Sequence, residues 1–257
     1  MDIYGDFSDF YDLYVGDWLE DLPFYLEYAK QVQTPILEVG AGSGRLTIPL
    51  ARTGASVIAV DSSSSMLAIL RSRLDKEPIE VRERIQLVHS DICSLLLEDR
   101  HELIVVPFYT FNYFLTPEIQ KSALERFAQH LAPQGRVLID VFLPLSRIQR
   151  CPAEPVLKVD TVDAATGNNV RGWNIYSIDK VRQIEIRRHV FKVTGKDGTV
   201  LERDFTTQRR YFYPSELESL FADCGFSVEA AFTGYEKKEA DDDSEQLLYL
   251  LRQKASG

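Results

Sequence analysis

Along the first half of the chain, short apolar runs alternate with amphipathic segments. Ile36–Val39, Val57–Val60, Ile85–Val88, Leu103–Phe108 and Val137–Phe142 read as strands. Between them, Met66, Leu70 and Leu74 share one face of a helix over Ser64–Leu74. Ile119, Ala123, Phe127 and Leu131 do so over Glu118–Leu131, with Thr116-Pro117 as the start signal. Such alternation predicts crossover connections and a mostly parallel sheet covered by helices on both faces. Upstream lie an aromatic and acidic opening, Asp6–Tyr14, and a helix over Asp17–Gln33 carrying Leu19, Leu22, Leu26 and Ala29 at helical spacing.

After Pro144 the period changes to two. Val156–Val162, Val170–Ile178, Val181–Val193 and Val200–Tyr213 alternate with no helix between them, which predicts an antiparallel meander whose last hairpin turns at Asp197-Gly198. A helix from Pro214 to Cys224 stops at Gly225, and Phe226–Phe232 and Leu247–Leu251 close the chain. The predicted organisation is an N-terminal helical cap (1–33), an α/β core (34–144), an inserted antiparallel lid (145–213) and a C-terminal part of the core (214–257).

Length and composition agree with a globular protein. The 257 residues are 45% hydrophobic, and the longest apolar runs fall far short of a membrane span. The N-terminal residues show no secretory pattern, so the expectation is cytoplasmic and not membrane-bound. A net charge of −10 argues against nucleic acid as a partner. The basic stretch Arg182–Arg188, and Arg203 with Arg209 and Arg210, alternate with apolar residues as the solvated face of a strand would. Cys93, Cys151 and Cys224 are odd in number and have no metal-ligand spacing, so neither a disulfide framework nor a metal is expected. The sequence leaves the oligomeric state open.

The densest chemistry lies at Glu38-Val39-Gly40-Ala41-Gly42-Ser43-Gly44-Arg45, a strand ending in a glycine turn that opens a helix. Glycines there let a ligand approach the backbone, and unpaired N–H groups face it. A dinucleotide fingerprint would require glycine at position 45, where Arg45 stands, and no Gly-Lys-Ser/Thr follows for a phosphate loop. Asp61 ends the second strand twenty-one residues after Gly40, placed to accept hydrogen bonds from ribose hydroxyls, and Asp91-Ile92 follow the third.

With these residues, Ala132-Pro133-Gln134-Gly135 before the fifth strand and Cys224-Gly225-Phe226 before the sixth, the chain resembles the class I S-adenosylmethionine-dependent methyltransferases over residues 8–252. Arg136 departs from the pattern, standing where the family usually has a second glycine. The resemblance implies a doubly wound, mostly parallel seven-stranded sheet whose last strand is antiparallel, and S-adenosyl-L-methionine as cofactor. It further implies that Gly40, Ala41, Gly42 and Gly44 hold the methionine moiety, Asp61 the ribose, and Asp91 with Ile92 the adenine, with Met66 lining the adenine pocket and Glu38, Ser62 and Pro107 as further cofactor-binding residues. Tyr11 and Tyr14 are expected to fold over the cofactor, their rings facing its sulfonium.

Methyltransferases of nucleobases and amides usually carry Asn/Asp-Pro-Pro-Tyr/Phe after the fourth strand. Val106-Pro107-Phe108-Tyr109 lacks the polar first residue, so the resemblance points to a small-molecule acceptor. Tyr4, Tyr109, Asn112, Phe142, Trp173, Tyr176 and Tyr211 are the candidate lining of its pocket, the last three from the lid. No catalytic base stands out, since His89, His101, His130 and His189 all read as structural; this favours an amine acceptor over a hydroxyl. O-methylation and a cofactor-binding protein without catalysis are the alternatives.

Overall fold

A computed structural model of the chain describes residues 5–16, 18–143, 151–241 and 244–254. Seven strands form one sheet in the order β10-β11-β5-β4-β1-β2-β3. They are β1 (Ile36–Val39), β2 (Val57–Asp61), β3 (Ile85–His89), β4 (His101–Val106), β5 (Leu131–Phe142), β10 (Phe226–Phe232) and β11 (Gln246–Gln253). β1 pairs in parallel with both β2 and β4, and β11 runs antiparallel between β5 and β10, as the resemblance implies. The strand order reverses between β1 and β4, so the C-terminal ends of these strands open a crevice.

Helices α1 (Ser8–Val15), α2 (Leu22–Ala29), α3 (Thr47–Arg52), α4 (Ser64–Leu74), α5 (Ile79–Arg82), α6 (Pro117–His130) and α7 (Pro214–Asp223) complete the described elements, with short 3₁₀ turns between some of them. One face of the sheet packs Leu37, Val39, Ile104 and Val106 against Phe127 of α6 and Phe221 of α7. The other packs Ile36, Ala59, Val105 and Leu250 against α2 and α4. Both faces of β1 are therefore covered, and all four of its residues are buried, Glu38 included. The cap signals act as read: Ser63 Oγ accepts from Met66 N at 3.1 Å, and Thr116 Oγ1 from Ile119 N.

The helix expected over Asp17–Gln33 is shorter, Leu22–Ala29. Pro23 sits in its first turn, and a turn ahead of it leaves Leu19 exposed. Its buried face is Phe24, Tyr25, Tyr28 and Ala29, because the larger rings fill the groove beside β11.

A second sheet, β6-β7-β8-β9, consists of β6 (Val156–Val162), β7 (Asn169–Asp179), β8 (Ile184–Thr194) and β9 (Val200–Arg210), all antiparallel. Its inner face meets α1 through a small cluster of Phe7, Val159, Val170 and Phe191. Phe10 stacks on Phe191 with ring centroids 4.6 Å apart. α1 is fixed to the core by an ion pair between Asp12 and Arg73 and by a hydrogen bond from Ser43 Oγ to Asp12 at 2.9 Å. The cap thus touches both sheets.

Candidate functional site

The glycine turn after β1 owes its shape to backbone conformations that side chains resist. Gly40, Gly42 and Gly44 all have positive φ, and a Cβ on Gly40 would stand 2.5 Å from Thr110 Oγ1. Asp61, at the end of the neighbouring β2, holds the turn: its Oδ2 accepts from Gly42 N at 2.7 Å and its Oδ1 from Ser63 N at 2.8 Å.

Above the turn lies a cavity of about 440 Å³, within the roughly 300–1,000 Å³ range of small-ligand sites. Its floor is Gly40, Gly42, Asp61, Ser62, Met66, Asp91 and Ile92 at the strand ends; Tyr11 and Tyr14 of α1 and Tyr109 border it too. The family's cofactor fits this floor. Gly40 and Gly42 bring backbone without side chains to the floor, their N–H groups already bonded to Val60 O and Asp61 Oδ2, the Asp61 carboxylate borders the cavity, and Met66 and Ile92 supply an apolar slot.

Other predicted residues lie elsewhere. Glu38 is sealed beneath the turn, where Thr47 Oγ1 donates to it at 2.6 Å; burial pushes its carboxyl up to about 8. Ala41 is buried, Gly44 backs onto Leu70 of α4, and Pro107 packs below the cavity. Asp91 borders the cavity but also caps the next turn, accepting from Cys93 N at 2.8 Å.

Among the acceptor candidates, Asn112 is a structural bracket, donating to Arg210 O at 2.8 Å and accepting from Phe142 N at 3.2 Å. Phe142 and Tyr176 stand one layer back, each beneath an arginine of the cavity wall: Arg209 lies 4.3 Å from the Phe142 ring and Arg187 5.1 Å from the Tyr176 ring. Tyr211 is buried beside Tyr213, away from the cavity. Trp173 has the wrong phase: Gly172 and Asn174 face inward, so Trp173 points to the outer side, with Arg171 over its ring. Tyr4 lies outside the described residues.

The main correction concerns charge. Arg182 and Arg188 are exposed as expected, but Glu185, Arg187 and His189 alternate with Arg188 on the inward face of β8, and Arg209 joins them from β9. Arg187, His189 and Arg209 line the cavity. Glu185 Oε1 accepts from Arg187 Nη2 at 2.7 Å and from Arg209 Nη2 at 2.6 Å, and Arg187 Nη1 donates to Tyr14 Oη at 2.9 Å. Asn174 Nδ2 also donates to Tyr14 Oη, at 2.7 Å. The inward charges are tolerated because they are mutually paired.

Phe7 stacks on the His189 ring at 4.6 Å, and Nε2 of His189 lies 2.9 Å from Thr207 Oγ1. Burial, with Arg187 and Arg209 beside it, pushes His189 down to about 3, so its imidazole is neutral near pH 7. The unfolded chain takes up this proton near the ordinary 6.5; stability from His189 is complete above that pH and is lost as pH falls toward 3, at about 1.4 kcal/mol per unit. Glu38 and Asp140, raised by burial to about 8 and about 7, act in the opposite sense. The difference between wild type and His189→Gln isolates the histidine. Urea titrations at about pH 7 and pH 5 should show the wild type losing roughly 2 kcal/mol more than the variant. Equal losses would mean that His189 titrates normally.

Arg45, the residue that breaks the dinucleotide spacing, is bidentate to buried Asp21, with both N···O distances 2.6 Å, and tilts over Trp18 and Phe108. Arg136 likewise has a structural partner, Glu229 at 3.0 and 3.1 Å. Phe108 and Tyr109 both adopt left-handed φ, 53° and 64°, strained for aromatic residues, and the Tyr109 ring, which borders the cavity, meets buried Phe142 edge-on.

Residues 36–135 match the family described as a methyltransferase domain. Among solved structures, the CcbJ methyltransferase from Streptomyces caelestis is 24% identical, with 98% of each chain covered and a TM-score of 0.82. The sugar N-methyltransferase KedS8 from Streptoalloteichus sp. is 14% identical, covers 93% of this chain and 89% of its own, and has a TM-score of 0.71. The cypemycin N-terminal methyltransferase of a Streptomyces species is 29% identical over 106 residues, 41% of this chain and 40% of that one.

Proposed function

From a chain that carries a methyltransferase domain on the class I S-adenosylmethionine-dependent fold, we propose that the reaction is N-methylation of a small-molecule amine. When bound, S-adenosylmethionine supplies a methyl carbon activated by its sulfonium leaving group. The protein's tasks are then to hold, orient and desolvate. The turn Gly40–Gly44 would hold the methionine moiety, Asp61 the ribose, and Asp91, Ile92 and Met66 the adenine.

The observation that carries the nitrogen assignment is the upper wall of the cavity. Its polar groups are Arg187, Arg209, neutral His189 and the hydroxyls of Tyr14 and Tyr113, and the nearby carboxylate, Glu185, is engaged by both arginines. An attacking amine must be unprotonated, and the lid's described polar groups at this wall add no unpaired carboxylate that would hold it as an ammonium, since Glu185 is shared by both arginines and His189 is uncharged. A hydroxyl acceptor would need a base, and His189, pushed down to about 3 by burial and the neighbouring arginines, is a poor one. Relatives in fold include a sugar N-methyltransferase, which supports the same reading. The lid, residues 151–213 of the described chain, then selects the acceptor. Free Cys93, Cys151 and Cys224 support a cytoplasmic place, and no helix among the described residues is long and apolar enough to cross a membrane.

The test uses labelled S-adenosylmethionine with amines and their hydroxyl counterparts, each across pH. Transfer to the amine should exceed transfer to the matched hydroxyl by about 100-fold or more, roughly what a positioned base contributes. Preferential labelling of phenols would assign the enzyme to oxygen instead, since the same positive wall also stabilises a phenolate.

A further inference from the structure

Among the described residues, the inward face of the lid sets two guanidinium groups against one carboxylate. Arg187 and Arg209 share one oxygen of Glu185, so two guanidinium groups meet one carboxylate in a buried cluster. Both arginine side chains are about nine-tenths buried, at 10% and 8% exposure, and both line the cavity. Neither Nε–H has an acceptor among the described residues. Each guanidinium lies over an aromatic ring, Tyr176 for Arg187 and Phe142 for Arg209, so its place is set before anything binds. Two buried guanidinium groups sharing one carboxylate oxygen are costly to desolvate, and an anionic ligand group in the cavity they line offsets that cost.

We propose that Arg187 and Arg209 bind a carboxylate of the methyl acceptor, making the acceptor an amino acid or an amine that carries a nearby carboxylate. The inference deepens the N-methylation reading and rests on it. A carboxylate supplies the acceptor lone pairs that the fork of each guanidinium requires, and Tyr14, whose hydroxyl already accepts from Arg187 and Asn174, can turn its own proton toward it. The amine end of the same molecule then extends toward the glycine turn, within a cavity that is continuous from Arg187 and Arg209 to Gly40 and Asp61.

A rival occupant is the carboxylate of the cofactor itself, and the experiment separates the two. Calorimetry first compares S-adenosylhomocysteine binding to wild type and Arg209→Gln. Unchanged affinity is expected, and a tenfold loss would assign the arginines to the cofactor and overturn the proposal. With S-adenosylhomocysteine saturating, thermal shifts are then measured with α-amino acids and short peptides, each beside its C-terminal amide, and with acetate and benzoate beside their amides. The carboxylates should bind at least tenfold tighter than the amides, and Arg209→Gln should erase the difference. Glu185→Gln, which removes the competing carboxylate, should enlarge the carboxylate-induced shift even where its own melting temperature is lower; a purely structural triad would show no enlargement. Equal binding of acids and amides to the wild type would overturn the proposal. If carboxylates bind but none of the tested amines is methylated, the nitrogen assignment has failed and the anion site stands.

Discussion

Replacing Glu185 by alanine is expected to lower the stability of the protein by roughly 3–5 kcal/mol, the loss typical of removing one partner from a buried ion cluster. The side chain is 1% exposed, and its Oε1 accepts from both Arg187 and Arg209. Without it, two guanidinium groups lose their shared carboxylate in a buried wall whose described neighbours include rings, a tyrosine hydroxyl and an uncharged imidazole. Water entering the cavity can relieve only part of this. Urea unfolding followed by circular dichroism measures the effect. A loss below about 1 kcal/mol would show that the arginines are solvated in solution and that the lid lies more open than the structure has it. The reverse deletion, at Arg188 on the outer face, touches only an exposed pair with Asp204 and should change little.

Asp61→Ala is expected to weaken cofactor binding by about 2–4 kcal/mol, or roughly 30- to 1,000-fold in Kd. Two effects combine. The carboxylate is the proposed acceptor for the ribose hydroxyls, and it also fixes the glycine turn through Gly42 N and Ser63 N. Losing it therefore removes a direct charged hydrogen bond and loosens the backbone that receives the methionine moiety. Calorimetric titration with S-adenosylhomocysteine reads the affinity, and thermal unfolding of the ligand-free variant shows whether the turn still folds. If affinity is unchanged in a folded variant, Asp61 serves the turn alone.

The central strands, the glycine turn, Asp61 and the antiparallel meander were legible because each is local. A strand buried on both faces reads as an unbroken apolar run, and a turn with positive φ demands glycine. The helix after the opening segment was less legible, since Leu19, Leu22 and Leu26 have helical spacing, yet Pro23 and the rings of Phe24 and Tyr25 decide where it starts and which side is buried. Asn112, a candidate for the acceptor pocket by its place after the fourth strand, is a bracket between Arg210 O and Phe142 N. Its role is set by residues 30 and 98 positions away.

The lid shows most directly where sequence stops and tertiary structure takes over. Alternation of period two in Arg182–Arg188 and Arg203–Arg210 establishes that one set of residues faces one way and the next set the other. It does not say which set is inside. That depends on register, and register depends on the turn. A two-residue turn at Asp197-Gly198 would place Glu185 opposite Arg210. The chain instead closes a three-residue turn, with Gly195 N bonded to Thr199 O and Gly198 at φ 83°, and the pairing moves by one so that Glu185 lies opposite Arg209. A buried charge survives only beside its counter-charge, so this single step of register turns an arginine that reads as solvated into a wall of the cavity. The sequence determined the parallel sheet, the glycine turn with Asp61 beside it and the antiparallel meander, all of which follow from local backbone and burial preferences. The charge above that turn was decided by how the 195–199 hairpin closes and the strand pairing it sets, which the period-two alternation does not encode.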